Sequence, residues 1–111
     1  MAYDQDLAQR IRDIVTGEPG LTEQKMFGGL AFLVNGNMAV AASKEGGLLL
    51  RVAPERTEEL LAEPDAYEFT MRGDKPMTGW LRVRPDRLDD DARLERWTEV
   101  GVSFARSLPP K

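Results

Sequence analysis

Apolar residues recur at helical spacing in the first segment of the chain, "AYDQDLAQRIRDIVTGEPG". One side of the predicted helix carries Tyr3, Leu7, Ile11, Ile14 and Val15, and charged residues occupy the other side. Gly17 and Pro19 are typical of a helix end, so the pattern predicts a helix that finishes near residue 16.

The last segment, "DDDARLERWTEVGVSFARSL", has the same spacing. Asp89, Asp90 and Asp91 stand at the N-terminus of this predicted helix, where the helix dipole and the free N–H groups favour carboxylates. The predicted buried stripe consists of Leu94, Trp97, Gly101, Phe104 and Leu108.

Between these helices the apolar pattern is typical of strands. "LAFLV" and "MAVAAS" are joined by Asn35-Gly36, a strong signal for a two-residue hairpin turn. "LLLRV" is the third predicted strand, and "DAYEFTMR" and "PMTGWLRVRP" form a second pair that turns through residues 73–76. A short helix opens at Pro54, in "PERTEELLAEP".

The predicted order is therefore α-β-β-β-α-β-β-α in a single domain over residues 1–111. This order indicates an α+β fold, a two-layer sandwich in which the helices cover one face of a five-stranded, mainly antiparallel sheet.

The stretch Met26-Phe27-Gly28-Gly29 raises the question of a phosphate-binding loop. A dinucleotide loop follows a strand and opens a helix, and a Walker loop ends in Gly-Lys-Ser or Gly-Lys-Thr. "MFGGLAF" matches neither pattern and precedes a strand. We interpret the two glycines as a means to allow a bulge, or the close approach of another backbone, at the strand entrance.

Composition narrows the possible chemistry. The chain has no cysteine and no histidine, which excludes disulfides, thiolate or histidine metal sites and a Ser-His-Asp triad. Asp86, Asp89, Asp90 and Asp91 lack the spacing of a calcium loop and are interpreted as helix caps rather than metal ligands. We expect no catalytic residue, no metal and no cofactor. With no apolar run long enough to span a membrane and no basic N-terminal region, a cytoplasmic location is expected.

Two motifs resemble a known family. "KMFGGLAFLVNGNMAVAA", from Lys25 to Ala42, and "MRGDKPMTGWLRV", from Met71 to Val83 with its Met77-x-Gly79-Trp80 core, are similar to the N-terminal domain family of the TfoX/Sxy competence regulators. The similarity extends over nearly the whole chain.

The resemblance implies a small α+β domain related to secretion-chaperone-like folds, which often dimerise. Family members with a second, helical domain resemble regulators that help to switch on competence genes alongside a DNA-bound activator. The sequence to Lys111 shows no such second domain, so the expectation is a non-enzymatic interaction domain, with a transcription-associated module that reaches DNA through a partner activator as the alternative. The resemblance supplies no catalytic residue.

Strand alternation predicts where a partner binds. Along the last predicted strand, Met77, Gly79, Leu81 and Val83 share one face and Trp80 lies on the other. Tyr67, Phe69 and Met71 are expected beneath the helices, and Leu33 is a candidate for the opposite face. The residues predicted to bind a partner on that opposite face are Leu49, Arg51, Arg72, Trp80, Arg82 and Arg84.

Three uses of this face are open. In the first, the face is solvated and Trp80 lies under arginine stems. In the second, it is a homodimer or partner interface. In the third, it binds nucleic acid, with Lys75 added to the arginines. The net charge of −4 counts against nucleic acid. The sequence therefore favours a homodimer or another protein partner.

Overall fold

The computed structural model describes residues 4–26, 28–44, 46–70 and 76–110. It confirms an α+β fold with an antiparallel sheet and three helices. The elements are α1 (Gln5–Val15), β1 (Leu21–Met26), β2 (Gly29–Val34), β3 (Asn37–Ala42), β4 (Leu48–Arg51), α2 (Thr57–Leu61), β5 (Ala66–Thr70), β6 (Pro76–Val83) and α3 (Asp91–Ser107). In this part of the chain, every helix is too short or too polar to cross a membrane.

The sheet has six strands in the order β1-β2-β3-β4-β6-β5, and every neighbouring pair is antiparallel. The prediction of five strands was wrong because it omitted β1. Its sequence, "LTEQKM", is polar and almost entirely exposed, so it lacks the apolar alternation that predicts a strand. β1 is an edge strand that pairs along its whole length with β2, from Leu21 opposite Val34 to Met26 opposite Gly29.

Two short turns set the register of the first three strands. Asn35 and Gly36 both have positive φ, 52° and 84°, and join Val34 to Asn37 as the predicted hairpin turn. Gly28, with φ 76°, lies in the turn between β1 and β2, and Phe27 is outside the described residues. A Cβ at Gly29 would collide with the carbonyl oxygen of Ala42, which is the close backbone approach predicted at this strand entrance.

The main core lies between the helices and one face of the sheet, which we call the inner face. It combines Ile11, Leu94 and Trp97 from the helices with alternate strand residues such as Phe32 and Leu50. Because successive strand residues point to opposite faces, alternate strand residues enter this core, except at an irregularity in β3 where the consecutive Ala39 and Val40 both do.

Capping aspartates begin the two long helices. The Asp4 carboxylate accepts hydrogen bonds from the N–H groups of Asp6 and Leu7, and Asp90 accepts one from Ala92. The cap predicted from three consecutive aspartates is therefore made by Asp90, while Asp91 forms an ion pair with Arg10 at 2.7 Å.

The buried stripe of α3 is rotated slightly from the predicted one. Phe104 and Leu108 are only half-buried, and the stripe consists of Leu94, Trp97, Thr98, Gly101, Val102 and Ala105. The backbone of α3 lies close to β3 at Gly101, and the buried residues of α3 are those that share this side of the helix.

Three arginines clamp glutamates across the helical layer with two hydrogen bonds each. The pairs are Arg12 with Glu23, Arg96 with Glu63 and Arg106 with Glu18. In each pair the hydrogen bonds from the guanidinium lower the pKa of the glutamate below its ordinary value, against a smaller opposing effect of burial.

These lowered pKa values make stability depend on pH. Because the folded carboxylates hold protons less tightly than the unfolded ones, their stabilisation is complete above the ordinary glutamate pKa of about 4.3 and is lost as the pH falls through the folded values. We expect the urea midpoint to fall on acidification below about pH 5, and Glu63→Gln to flatten part of that dependence. Glu58→Gln, on the exposed side of α2, is the matched control. An unchanged pH profile for Glu63→Gln would contradict the assignment.

Candidate interaction surface

A second apolar cluster lies on the outer face of the sheet, opposite the helices. Its buried members are Ala31, Leu33, Met38, Ala41, Leu49 and Phe69, and the partly buried Met26, Met77 and Trp80 pack against it. All of these residues belong to strands, and in the described part of the chain no helical residue joins them. The sheet is therefore apolar on both faces, but the described helices cover only one.

Trp80 lies on this outer face, as the alternation of β6 predicts. Its ring is half-buried and lies 6.1 Å, centroid to centroid, from the ring of Phe69. Arg51 of β4 is directly opposite Trp80, and its guanidinium carbon is 5.9 Å from the Trp80 ring centroid and 5.6 Å from that of Phe104. Leu49 also lies on the outer face, buried in the cluster.

Two arginines of the β6 segment stack on aromatic rings of β5. The guanidinium carbon of Arg82 lies 4.9 Å from the Phe69 ring centroid, and that of Arg84 lies 5.0 Å from the Tyr67 ring centroid. In the sheet Arg82 is paired with Tyr67, but its guanidinium stacks on Phe69, two residues further along β5. Each arginine therefore contacts a ring that lies diagonally across from it and not directly opposite. The result is a regular ladder of two cation–π contacts, which we call the arginine ladder.

Further hydrogen bonds position the ladder. Arg82 donates from Nη1 to the Ser43 hydroxyl at 2.9 Å, and Arg84 donates from Nε to the Pro64 carbonyl at 3.4 Å. Arg72, the remaining predicted partner-binding arginine, is outside the described residues, as is Lys75. The structure thus brings Arg82 and Arg84 to one face with Trp80, whereas the guanidinium of Arg51 is close both to Trp80 and to Phe104 of α3.

Two predictions about this face were wrong. Phe69 was expected beneath the helices, but β5 pairs with β6 so that Ala66 lies opposite Val83 on the inner face, which turns Tyr67 and Phe69 outward. Alternation correctly grouped Tyr67 with Phe69, but it cannot tell which face the group takes. Met71, grouped with them, is outside the described residues.

Met77 was also expected on the inner face and lies on the outer one, with Trp80. The cause is Gly79, whose φ of 91° interrupts the alternation. Its N–H donates to the Thr57 hydroxyl and its carbonyl accepts from Val52, each at 2.9 Å. Because Gly79 bonds to these residues, Met77 and Trp80 point the same way although an odd number of positions separates them.

Charge distinguishes the two faces of the sheet. Glu23 and Glu68 are the only acidic residues in the described strands, and both are on the inner face, opposite Phe32 and Leu81 respectively. The outward-pointing residues of those strands therefore include arginines but no carboxylate, although the whole chain has a net charge of −4. Sequence reasoning missed this separation because it depends on the register of two edge strands.

Cavities lie on both sides of the sheet. On the outer face a small pocket of about 60 Å³ lies beside Ser43, Lys44 and Arg82, and on the helical side an open cleft of about 590 Å³ runs along α3 past Val52 and Phe104. Among the described residues, no group of three or more carboxylates is placed to hold a metal ion.

Comparison with known proteins connects this geometry to a family. The family model described as the TfoX N-terminal domain matches residues 13–105, which include every described strand, all of α2, most of α3 and the end of α1. Searches of curated proteins and of solved structures found no significant match. Since the matched region covers most of the 111 residues, the chain belongs to the TfoX N-terminal domain family.

Proposed function

We propose that this protein is a non-enzymatic interaction domain that binds another protein through the outer face of its sheet. The observation that carries the proposal is the second apolar cluster, which no described helix covers and which Trp80 and the arginine ladder border. The six central residues of this cluster are at most 8% exposed, so its accessible apolar surface comes from the partly buried Met26, Met77 and Trp80. An exposed apolar surface with a polar rim marks a binding site on a soluble domain.

The residue types on this face support the proposal. Tryptophan, tyrosine, methionine and arginine are enriched at the centres of protein interfaces, whereas lysine and glutamate are depleted there. Trp80, Tyr67, Met77 and Arg82 are all half-buried on the outer face. A partner that buries them gains apolar contact while the guanidiniums keep hydrogen-bonding capacity at the rim.

Partner capture tests the proposal. Wild-type protein and Trp80→Asp are immobilised separately and exposed to an extract of the native host, and the retained proteins are quantified by mass spectrometry. We expect at least one protein to be retained by the wild type and lost with Trp80→Asp, because a carboxylate there removes the apolar anchor. Arg56→Gln, which removes a charge on the helical side, is the control and retains it. Retention that does not depend on Trp80 would contradict the proposal.

A homodimer through the same face is a second candidate. The resemblance to secretion-chaperone-like folds, which often dimerise, supports this candidate. Two outer faces would bring Trp80 of each copy to the centre, so Trp80→Asp is expected to convert a dimer to a monomer in sedimentation. The two arginine ladders would also face each other, so added salt should strengthen such a dimer by screening their repulsion. A dimer that Trp80→Asp leaves intact would place the interface elsewhere.

A role beside a transcription activator is the alternative function. Membership of the TfoX N-terminal domain family supports it, together with the basic outer face. In this proposal the domain contacts the activator and reaches DNA only through it.

A further inference from the structure

We propose that the partner inserts one basic side chain, an arginine or a lysine, into a cleft that runs from Trp80 to the carboxylates of Glu58 and Glu68. This inference rests on the proposed function and names one residue type that the partner must supply.

A large bulge in β6 forms one wall of this cleft. In the pairing with β5, the four residues 77–80 stand opposite the single residue Phe69. The N–H of Gly79 donates to the Thr57 hydroxyl and its carbonyl accepts from the N–H of Val52, each at 2.9 Å. Bulges re-aim side chains and are frequent beside functional sites. Because this one is hydrogen-bonded to α2 and to the chain after β4, it holds its side chains in fixed positions before a partner arrives.

The cleft lies between the bulge and α2 and has a volume of about 430 Å³. At the bulge β6 leaves the regular sheet, so Glu68 of the inner face and Trp80 of the outer face line the same cleft. Met77 and Trp80 also belong to the second apolar cluster, so a partner that covers this cluster reaches the mouth of the cleft. The apolar walls, which can pack against the methylenes of a long side chain, consist of Pro54, Leu61, Met77 and Trp80.

Charge complementarity favours a cation in this cleft. Glu58 of α2 and Glu68 of β5 line it, and none of its described lining residues is basic. Both side chains are exposed, and neither carboxylate has an ion pair or a hydrogen bond within the part of the chain that the structure describes. Glu59, by contrast, forms an ion pair with Arg56 at 3.5 Å. A cation can therefore contact both free carboxylates without breaking an existing pair.

The surroundings of the Trp80 ring favour a cation on a long stem. The guanidinium carbon of Arg51 already lies 5.9 Å from the ring centroid, and the ring of Phe69 lies 6.1 Å away. A compact cation centred on Trp80 would be repelled by Arg51. An arginine or lysine side chain avoids this repulsion, because its methylenes lie along Trp80 and Met77 while its charge reaches the carboxylates.

NMR titration tests the inference, with the two indole N–H signals as reporters. Isotope-labelled protein at low ionic strength is titrated with Nα-acetyl-arginine methylamide, which has no charge other than that of its side chain. We expect the Trp80 signal to move and to saturate. The Trp97 signal should stay in place, because Trp97 is fully buried and bonded to Asp65.

Matched ligands separate the charge from the stem. The lysine derivative should also move the Trp80 signal. The citrulline derivative, which has nearly the same shape but no charge, should move it much less at the same concentration. Guanidinium ion alone, which has the charge but no stem, should do the same.

Variants of the protein assign the binding to the cleft. Glu58→Gln and Glu68→Gln should each weaken the arginine derivative roughly two- to fivefold, the range for an exposed ion pair. Glu59→Gln removes the same charge from the next position of α2 and should change little. The double variant Glu58→Gln/Glu68→Gln should also lose the protein whose capture depends on Trp80, and circular dichroism verifies that each variant folds.

Three results would overturn the inference: equal shifts with the citrulline derivative, unchanged binding by both single glutamine variants, or movement of the Trp97 signal together with that of Trp80. Undiminished capture by the double variant would overturn the assignment of the cation to the partner. If the arginine derivative does not bind but Trp80-dependent capture persists, this inference fails and the proposed function stands. If neither is observed, both fail.

Discussion

Replacing Trp97 by alanine is expected to lower the free energy of unfolding by about 3–5 kcal/mol, measured by urea denaturation followed by circular dichroism. Trp97 is fully buried in α3 and is the largest side chain of the main core. Its removal leaves a cavity between α3 and the sheet that the surrounding strands can only partly close. It also removes the hydrogen bond from the indole Nε1 to the Asp65 carboxylate, 3.2 Å long.

Trp97→Phe separates these two contributions. Phenylalanine fills most of the space but cannot donate to Asp65, which is 8% exposed and has the Nε atoms of Arg87 and Arg93 at 3.8 and 3.9 Å. Loss of one hydrogen bond to a buried carboxylate costs about 1–3 kcal/mol, so this variant should be intermediate.

Trp80→Ala is the matched control for the same change of residue type. Trp80 is half-buried on the outer face and has no place in the main core, so its loss should cost clearly less than that of Trp97. Equal destabilisation by Trp97→Ala and Trp80→Ala would contradict the division of the two tryptophans between core and surface.

Gly101→Ala should destabilise the protein by about 1–3 kcal/mol, the cost of overpacking a core. The usual effect of this substitution inside a helix has the opposite sign, a gain of about 1 kcal/mol. In α3, however, an added Cβ would lie 2.5 Å from the Ala39 carbonyl oxygen and 2.7 Å from Cγ1 of Val40. Because backbone forms one side of this contact, α3 must move away from β3 to accept even one methyl group.

The sign of the change makes Gly101→Ala a sharp test. Ser103→Ala, at an exposed position of the same helix, is the control and should be neutral or slightly stabilising. Urea denaturation of the three proteins compares the two variants with wild type directly. A stability gain for Gly101→Ala would show that α3 does not approach β3 as closely as described.

Local sequence signals predicted most of the elements correctly. Alternation and helical periodicity found three helices and five strands, and Asn35-Gly36 identified its hairpin because both residues must adopt positive φ. Aspartates before the last helix predicted its cap, which Asp90 makes. These features depend on residues close together in the chain, so the local sequence is sufficient for them.

Long-range pairing accounts for the errors. β1 is polar and becomes a strand because β2 is available to pair with it. Phe69 faces outward because of the register between β5 and β6, and Met77 does so because Gly79 bonds to Thr57 and Val52. The contact between Trp97 and Asp65 joins residues 32 positions apart, and no local pattern indicates it.

By itself, the sequence determined the fold class, the absence of cysteine and histidine chemistry, the net charge and the outward position of Trp80. Only the tertiary structure decided that the outward-pointing residues of the described strands are apolar or basic and include no carboxylate, and that two arginines stack there on rings from a neighbouring strand. The physical reason is that alternation along one strand fixes which side chains share a face. Which face that is, and what lies beside it, depends on the register with the next strand.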